Sequence, residues 1–297
     1  MITLRHHVLT IVAVFLALAA GIVLGGGPLS EVGPAVTAAS KDDAATPGGG
    51  QAAADYDGAF VSAMSPAIAS GRLADRSVAL VTVPGADEQL VTALTEDVAA
   101  AGGTVSARYQ LADDLVDPSQ KSLVDTLGSQ LMTQQSADAV AADASTYDRV
   151  GQLLGLAVST KEAGGDTVNG KARAIVEAVS GAGLMEEPGT VERRAPLVLL
   201  VLGTDADDEG SDAILAGLAK GLAAQAAGVV VAGTVADGDT GQLGRFRADP
   251  AAAGVASVDG IDTPSGRLTT IIALQRSLTT PGGAFGASGS DGAVPLG

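Results

Sequence analysis

Ser77-Val78-Ala79-Leu80-Val81-Thr82-Val83, closed by Pro84-Gly85, decides the fold. The run holds no charge, is rich in β-branched residues and is too short for a helix, so it reads as a strand buried on both faces and ended by a turn. Asp87 then stands where a helix needs its N-cap. Val91, Leu94 and Val98 recur on one helical face, and Gly102-Gly103 supplies the stop. Thr104 to Gln110 follows as a second strand. Two strands joined through a helix pair in parallel, because a hairpin has no room for the crossover.

The same unit recurs 120 residues on. Leu197 to Leu202 is apolar throughout, Gly203 opens a turn, and Ser211 to Ala227 carries Ile214, Leu215, Leu218 and Leu222 on one face. Gly228 stops that helix, and Val229 to Ala232 is the next strand. A short strand is expected near Val255–Val258. Thr263 then caps a helix with Pro264 at its first position, burying Leu268, Ile271 and Ile272. Further helices are predicted near Lys121–Leu131, Ser145–Leu156 and Lys171–Ser180. Continuously apolar strands alternating with amphipathic helices imply an α/β domain of three layers around a mainly parallel sheet, over residues 73–280. The Gly/Ala/Ser-rich residues 281–297 are expected to be a disordered tail.

Upstream the composition changes. Val8 to Leu24 is apolar apart from Thr10 and Gly21, long enough to reach the lower limit for a membrane-spanning helix. Arg5 precedes it and Glu31, Asp42 and Asp43 follow. Residues 1–27 are therefore expected to be a single N-terminal transmembrane helix, with a cytoplasmic N-terminus and the bulk of the chain extracytoplasmic at the plasma membrane. The rival reading is a cleaved signal peptide, on the small-x-small pattern Ala17-Leu18-Ala19; the apolar residues running on to Leu24 favour the retained anchor. Both export the same chain. Residues 28–72 read as a low-complexity linker containing a short helix from Asp55 to about Ser70, with Phe60, Val61, Met64 and Ile68 towards one side.

Charge and residue usage exclude several chemistries. Arg5 is the only charged residue among the first 27, so the remainder holds 16 basic and 34 acidic residues, a formal charge of −18. Such a surface repels nucleic acid, which is not an expected partner. Cysteine is absent, which removes disulfides, thiolate metal sites and Cys nucleophiles. The two histidines, His6 and His7, precede the apolar segment, so no exported His-dependent triad can form. No Gly-Lys-Ser or Gly-Lys-Thr phosphate loop occurs, and the turn Pro84-Gly85-Ala86-Asp87 has one glycine and an acid where a dinucleotide fingerprint needs three glycines.

Two acidic clusters remain. Asp205-Ala206-Asp207-Asp208-Glu209-Gly210 mimics the first half of a calcium loop, but Ala216 occupies the twelfth position, where a bidentate Glu belongs. An acidic turn complementing the following helix dipole is the simpler reading. Asp237-Gly238-Asp239-Thr240-Gly241 is likewise read as a surface turn. No residue is assigned a catalytic, cofactor-binding or metal-binding role, and an enzyme is not expected.

The opening Met1-Ile2-Thr3-Leu4-Arg5-His6-His7, with Ala13 to Leu18 and Gly21 to Gly25, resembles the start of the mycobacterial copper transport protein B family. Ala101 to Val105, Gln152 to Gly155 and Ile271 to Leu274 are similar to later family segments. The resemblance spans nearly the whole chain except about residues 30–54. It implies an actinobacterial envelope protein of copper transport and copper homeostasis; the alternative it implies is a non-catalytic interaction module in cell separation, linked to control of cell-wall hydrolases. Copper is implied by the resemblance alone. The expected partners are the lipid bilayer, through residues 8–24, and another envelope protein. Relatives usually carry a heptad coiled coil after the span, where this chain has an Ala/Gly/Pro linker.

Overall fold

The computed structural model describes residues 49–136 and 139–296. The expected span at residues 8–24 and residues 28–48 of the linker lie outside the described residues. Among the described residues no helix is long and apolar enough to cross a membrane.

Helix α1, Gly49–Ala69, leads to strand β1, Ser77–Thr82. Helix α2, Glu88–Ala100, and strand β2, Thr104–Gln110, complete the first unit. Asp87 caps α2 by accepting from the backbone N–H groups of Gln89 and Leu90, as its position before the helix requires. Next come α3 (Asp113–Val116), α4 (Lys121–Met132) and α5 (Thr146–Val158). A small antiparallel pair, β3 (Asp166–Thr167) and β4 (Arg193–Arg194), brackets α6 (Gly170–Gly181). The second unit is β5 (Leu197–Val201), α7 (Glu209–Gln225) and β6 (Gly228–Gly233). The chain ends with α8 (Gln242–Ala248), β7 (Ala256–Asp259), α9 (Pro264–Ser277) and β8 (Ala284–Phe285).

Six strands form one sheet in the order β2-β1-β5-β6-β7-β8, and every pairing in it is parallel. Side chains alternate between its faces with the period of two that the pleat imposes. Val78, Leu80, Leu197, Leu199, Val201, Val230 and Ala232 meet α2, α9 and the end of α1. Ala79, Val81, Val198, Leu200, Val229 and Val231 meet the helices of the opposite face, α4 to α8. This is the three-layer arrangement expected from uninterrupted apolar strands.

Two small-residue faces bring α5 and α7 close together. Gly151 of α5 and Gly217 and Gly221 of α7 let the two helix backbones touch: a Cβ on Gly221 would lie 2.3 Å from the Asp148 carbonyl oxygen. Beside this crossing, buried Asp148 accepts from Gln152 Nε2 at 2.8 Å and pairs with Lys220 at 2.7 Å.

Three expectations are corrected. The helix before β1 begins near Gly49 rather than Asp55, because Gln51, Ala52, Ala53 and Ala54 are strong helix formers that carry it upstream of Asp55; Pro66 falls near its other end. Residues 281–297 are not a free tail. Ala284–Phe285 adds a sixth strand beside β7, and Phe285 is buried under the Arg276 guanidinium, 5.2 Å from its ring centre. The α/β unit thus reaches well past residue 280, as it also starts before residue 73: Gln51–Gly297 clusters as one compact unit.

Tyr109, on β2, is almost wholly buried, and its hydroxyl has no hydrogen-bond partner. Burial pushes its pKa up to about 12. In the unfolded chain the phenol ionises near the ordinary value of 10, so between pH 10 and 12 the unfolded state holds fewer protons and stability falls as pH rises. Tyr109→Phe is expected to remove that decline, at about 1.4 kcal/mol per pH unit across the window. Paired urea titrations from pH 9 to 12 measure it; parallel curves for the two proteins would sink the assignment.

Candidate functional site

In a doubly wound sheet, ligands bind beyond the carboxyl ends of the strands, at the point where the strand order reverses. Here β1 is followed outward by β2 on one side and by β5 on the other, so that point lies between β1 and β5.

The two loops leaving these strands interlock. Val83 N donates to Val201 O at 2.9 Å, and Thr204 N donates to Pro84 O at 2.9 Å, which extends the ladder past both strand ends. Gly203 is pressed so close that a Cβ would lie 1.9 Å from Pro84 O, and only glycine fits. Gly85, at φ +78°, faces Thr204 Oγ1 in the same way. The two loops are thus in direct backbone contact where nucleotide-binding members of this architecture keep a free glycine-rich turn.

Beside this contact remains a cavity of about 380 Å³ lined by Val83, Asp113, Thr204, Ser211, Leu215 and Gln242. Gln242 is buried and its Oε1 lacks a protein partner. The helix N-terminus at this place is already neutralised by the chain itself. Asp208 caps α7 through Ser211 N, and Glu209 and Asp212 occupy its first turn. Asp87 and Glu88 do the same at α2. A phosphate here would meet carboxylates in place of free N–H groups, and like charges repel it.

The acidic run 205–210 serves Arg245. Arg245 Nε donates to Asp212 Oδ2 at 2.5 Å and Nη2 to Asp205 Oδ1 at 2.6 Å, with Asp207 3.7 Å from Nη1. The hydrogen bonds it donates to Asp212, foremost, and to Asp205 hold the guanidinium pKa above its usual range. Asp207 adopts φ +48° in the turn. These carboxylates therefore fasten the β5–α7 loop to α8, 33 and 40 residues downstream of Asp212 and Asp205. Asp208 and Glu209 complement the dipole of α7, as the simpler reading of this run expects; the arginine that the run also holds is too distant in sequence to be foreseen.

The second acidic turn is also used internally. Asp237 accepts from Thr234 N and Oγ1 at 2.6 and 2.8 Å, and Asp239 N donates to Ser288 Oγ. Below it lies the most deeply buried charge. Asp259, 0% exposed at the end of β7, accepts from Arg247 Nη2 and from Ser288 N, both at 2.8 Å. Arg247 also donates to Ser257 Oγ and to the Phe285 carbonyl. No sequence signal marked this clasp, whose members come from α8, β7 and the C-terminal segment. Among the described residues no three His, Asp or Glu side chains converge on a common metal position.

Soft ligands are equally scattered. Met64 is exposed on α1, at the edge of the layer containing α2 and α9, whereas Met132 and Met185 pack with the core of the opposite face. Tyr56, Phe60, Met64 and Ile68, at 70, 56, 42 and 40% exposure, form one uncovered line along α1.

Strand order and strand ends together define a doubly wound α/β domain whose β1 and β5 loops interlock at the switch point and whose first acidic turn holds an arginine. Its relatives are more specific. The profile of the family described as "Copper transport outer membrane protein, MctB" matches residues 1–296. The copper transporter MctB of Mycobacterium tuberculosis (strain H37Rv) is 30% identical over 303 residues, covering 92% of each chain. That of Mycobacterium leprae is 26% identical over 301 residues, 94% of each. The chain belongs to the MctB family.

Proposed function

We propose that this protein acts in copper transport or copper homeostasis at the cell envelope, held to the plasma membrane by residues 8–24 with its α/β domain outside. The observation that carries the reading is family membership along the full length, including the N-terminal stretch that holds the apolar segment. Arg5 before that segment and the acidic excess after it support the orientation.

The role of the α/β domain in this reading is to bind another envelope protein rather than to conduct or coordinate the metal. A membrane barrel needs strands that alternate polar and apolar residues around a closed ring, whereas this sheet is open and covered by helices on both faces. Copper(I) prefers thiolate, thioether and imidazole ligands. The described residues contain no Cys or His, and their methionines are split between the two sides of the sheet. The uncovered line Tyr56-Phe60-Met64-Ile68 offers the kind of apolar surface that protein partners cover.

A strain deleted for this protein is expected to lose growth on a rising copper series and to regain it with the full chain. The chain lacking residues 8–24 is expected to leave it sensitive at native expression, because tethering raises the effective concentration at the membrane. Unchanged copper tolerance of the deletion strain would overturn the copper reading. Titration of the exported part, residues 28–297, with Cu(I) is expected to give only weak binding; a stoichiometric submicromolar site there would contradict the ligand argument.

A further inference from the structure

A cavity of about 920 Å³ lies away from the switch point, between α6 and the segment 186–192 that leads into β4. This volume falls in the range of sites that bury a small organic molecule. Its apolar lining comes from Ala157, Val168, Val176 and Val191. Tyr109 also lines it, and its hydroxyl, the unpartnered group noted above, lies buried just beneath that lining. A buried hydroxyl without a partner costs stability, and a ligand atom that completes the bond recovers it.

The remaining lining is charged. Glu177, Glu187 and Glu192 face a single cation, Arg173, in a protein whose net charge is already −17. That imbalance attracts a positive group and repels a carboxylate. One wall can also adjust. Segment 186–192 is tied at its ends, by Glu186 N to Gln110 O at 2.8 Å and by Val168 N to Glu192 O at 3.0 Å. Between them, residues 187–191 make no hydrogen bond to the rest of the described backbone. This wall can shift to admit a guest without breaking a backbone bond.

We infer that this cavity is a binding site for an amphipathic organic cation, with its apolar body against Val168, Val176 and Val191, its ammonium group among the three glutamates and one hydrogen-bonding group on the Tyr109 hydroxyl. The phenol, kept neutral far above physiological pH by burial, becomes reachable as donor or acceptor when the untied segment 187–191 shifts to admit the guest.

Three probes separate the parts of the claim: 6-aminohexanol, hexylammonium, which lacks the hydroxyl, and 6-hydroxyhexanoate, which reverses the charge. Calorimetry and ligand-observed NMR with the full chain are expected to show one saturable site for 6-aminohexanol. The carboxylate probe should bind at least about tenfold more weakly. Tyr109→Phe should reduce 6-aminohexanol to the affinity of hexylammonium, a loss of roughly fivefold, and leave hexylammonium unchanged. Val176→Phe, which fills the cavity, should abolish binding. Because that variant could disturb packing, Glu187→Lys on the exposed segment provides a second test and should remove the preference for the cation. Absence of saturable binding by 6-aminohexanol, equal binding of the two charge types, or affinity unaffected by both Tyr109→Phe and Glu187→Lys each overturns the assignment.

Discussion

Asp259→Ala is expected to cost about 3–5 kcal/mol of folding stability, the penalty for leaving one member of a buried ion pair behind. Asp259 is fully buried and Arg247 nearly so, and the carboxylate is the acceptor for both Arg247 Nη2 and Ser288 N. Without it the guanidinium keeps Ser257 and the Phe285 carbonyl but loses its counter-charge. The loss should appear as a lower urea midpoint for the full chain, and as early protease cleavage after Thr280. Replacing both partners, Asp259→Leu with Arg247→Met, should cost less than Asp259→Ala alone, since no charge is then stranded. A loss below about 1 kcal/mol for Asp259→Ala would show that the clasp is not a buried pair in solution.

A methyl group placed between α5 and α7 should have the next largest effect. Alanine in mid-helix normally gains about 1 kcal/mol over glycine. At Gly221 the new Cβ would stand 2.3 Å from Asp148 O, 2.5 Å from Gln152 N and 2.6 Å from Gly151 C, all of them backbone atoms. No rotamer change relieves such contacts, so the helices must separate along a crossing that also carries the Asp148–Lys220 pair. Overpacking of this kind costs about 1–3 kcal/mol, occasionally more, which outweighs the propensity gain. Gly221→Ala is therefore expected to be destabilised by about 2 kcal/mol. Gly58→Ala on α1, where a Cβ meets nothing within 4 Å, should be neutral or stabilised by up to about 1 kcal/mol. Thermal unfolding of the two variants beside the parent decides it: stabilisation at Gly221 would mean that the helices are not in contact there.

The sheet was legible wherever its strands announce themselves by unbroken apolar runs. The expected second strand, Thr104–Gln110, matches β2, and the caps Asp87 and Thr263 hold the N–H groups their positions predict. Strand β8 was not legible because two residues in a glycine-rich segment carry no periodic signal; Arg247 and Asp259 fix it from elsewhere in the chain. Helix α8 was missed for a related reason, being only seven residues long. The run Asp205–Gly210 was recognised as an acidic cluster, yet its partner Arg245 comes from that missed helix, so the identity of the bound cation could not be read. The cavity lined by Tyr109 left no trace in the sequence, because its walls are gathered from segments as distant as residues 109 and 192.

The place of β1 in the sheet has a consequence for biosynthesis. Val78 pairs on one side with Val105, made soon after it, and on the other with Leu197, made more than a hundred residues later. During synthesis the first β-α-β unit therefore emerges with one edge of its central strand open, and the whole second half must follow before that edge is covered. Pairings so distant in sequence are slow to form, since the entropy of closing the long intervening loop comes before any reward. An uncovered apolar strand edge meanwhile recruits other chains. The nascent protein is thus at its most aggregation-prone when residues 77–110 are out and Leu197 is not, and a chaperone that masks strand edges in that interval protects its yield.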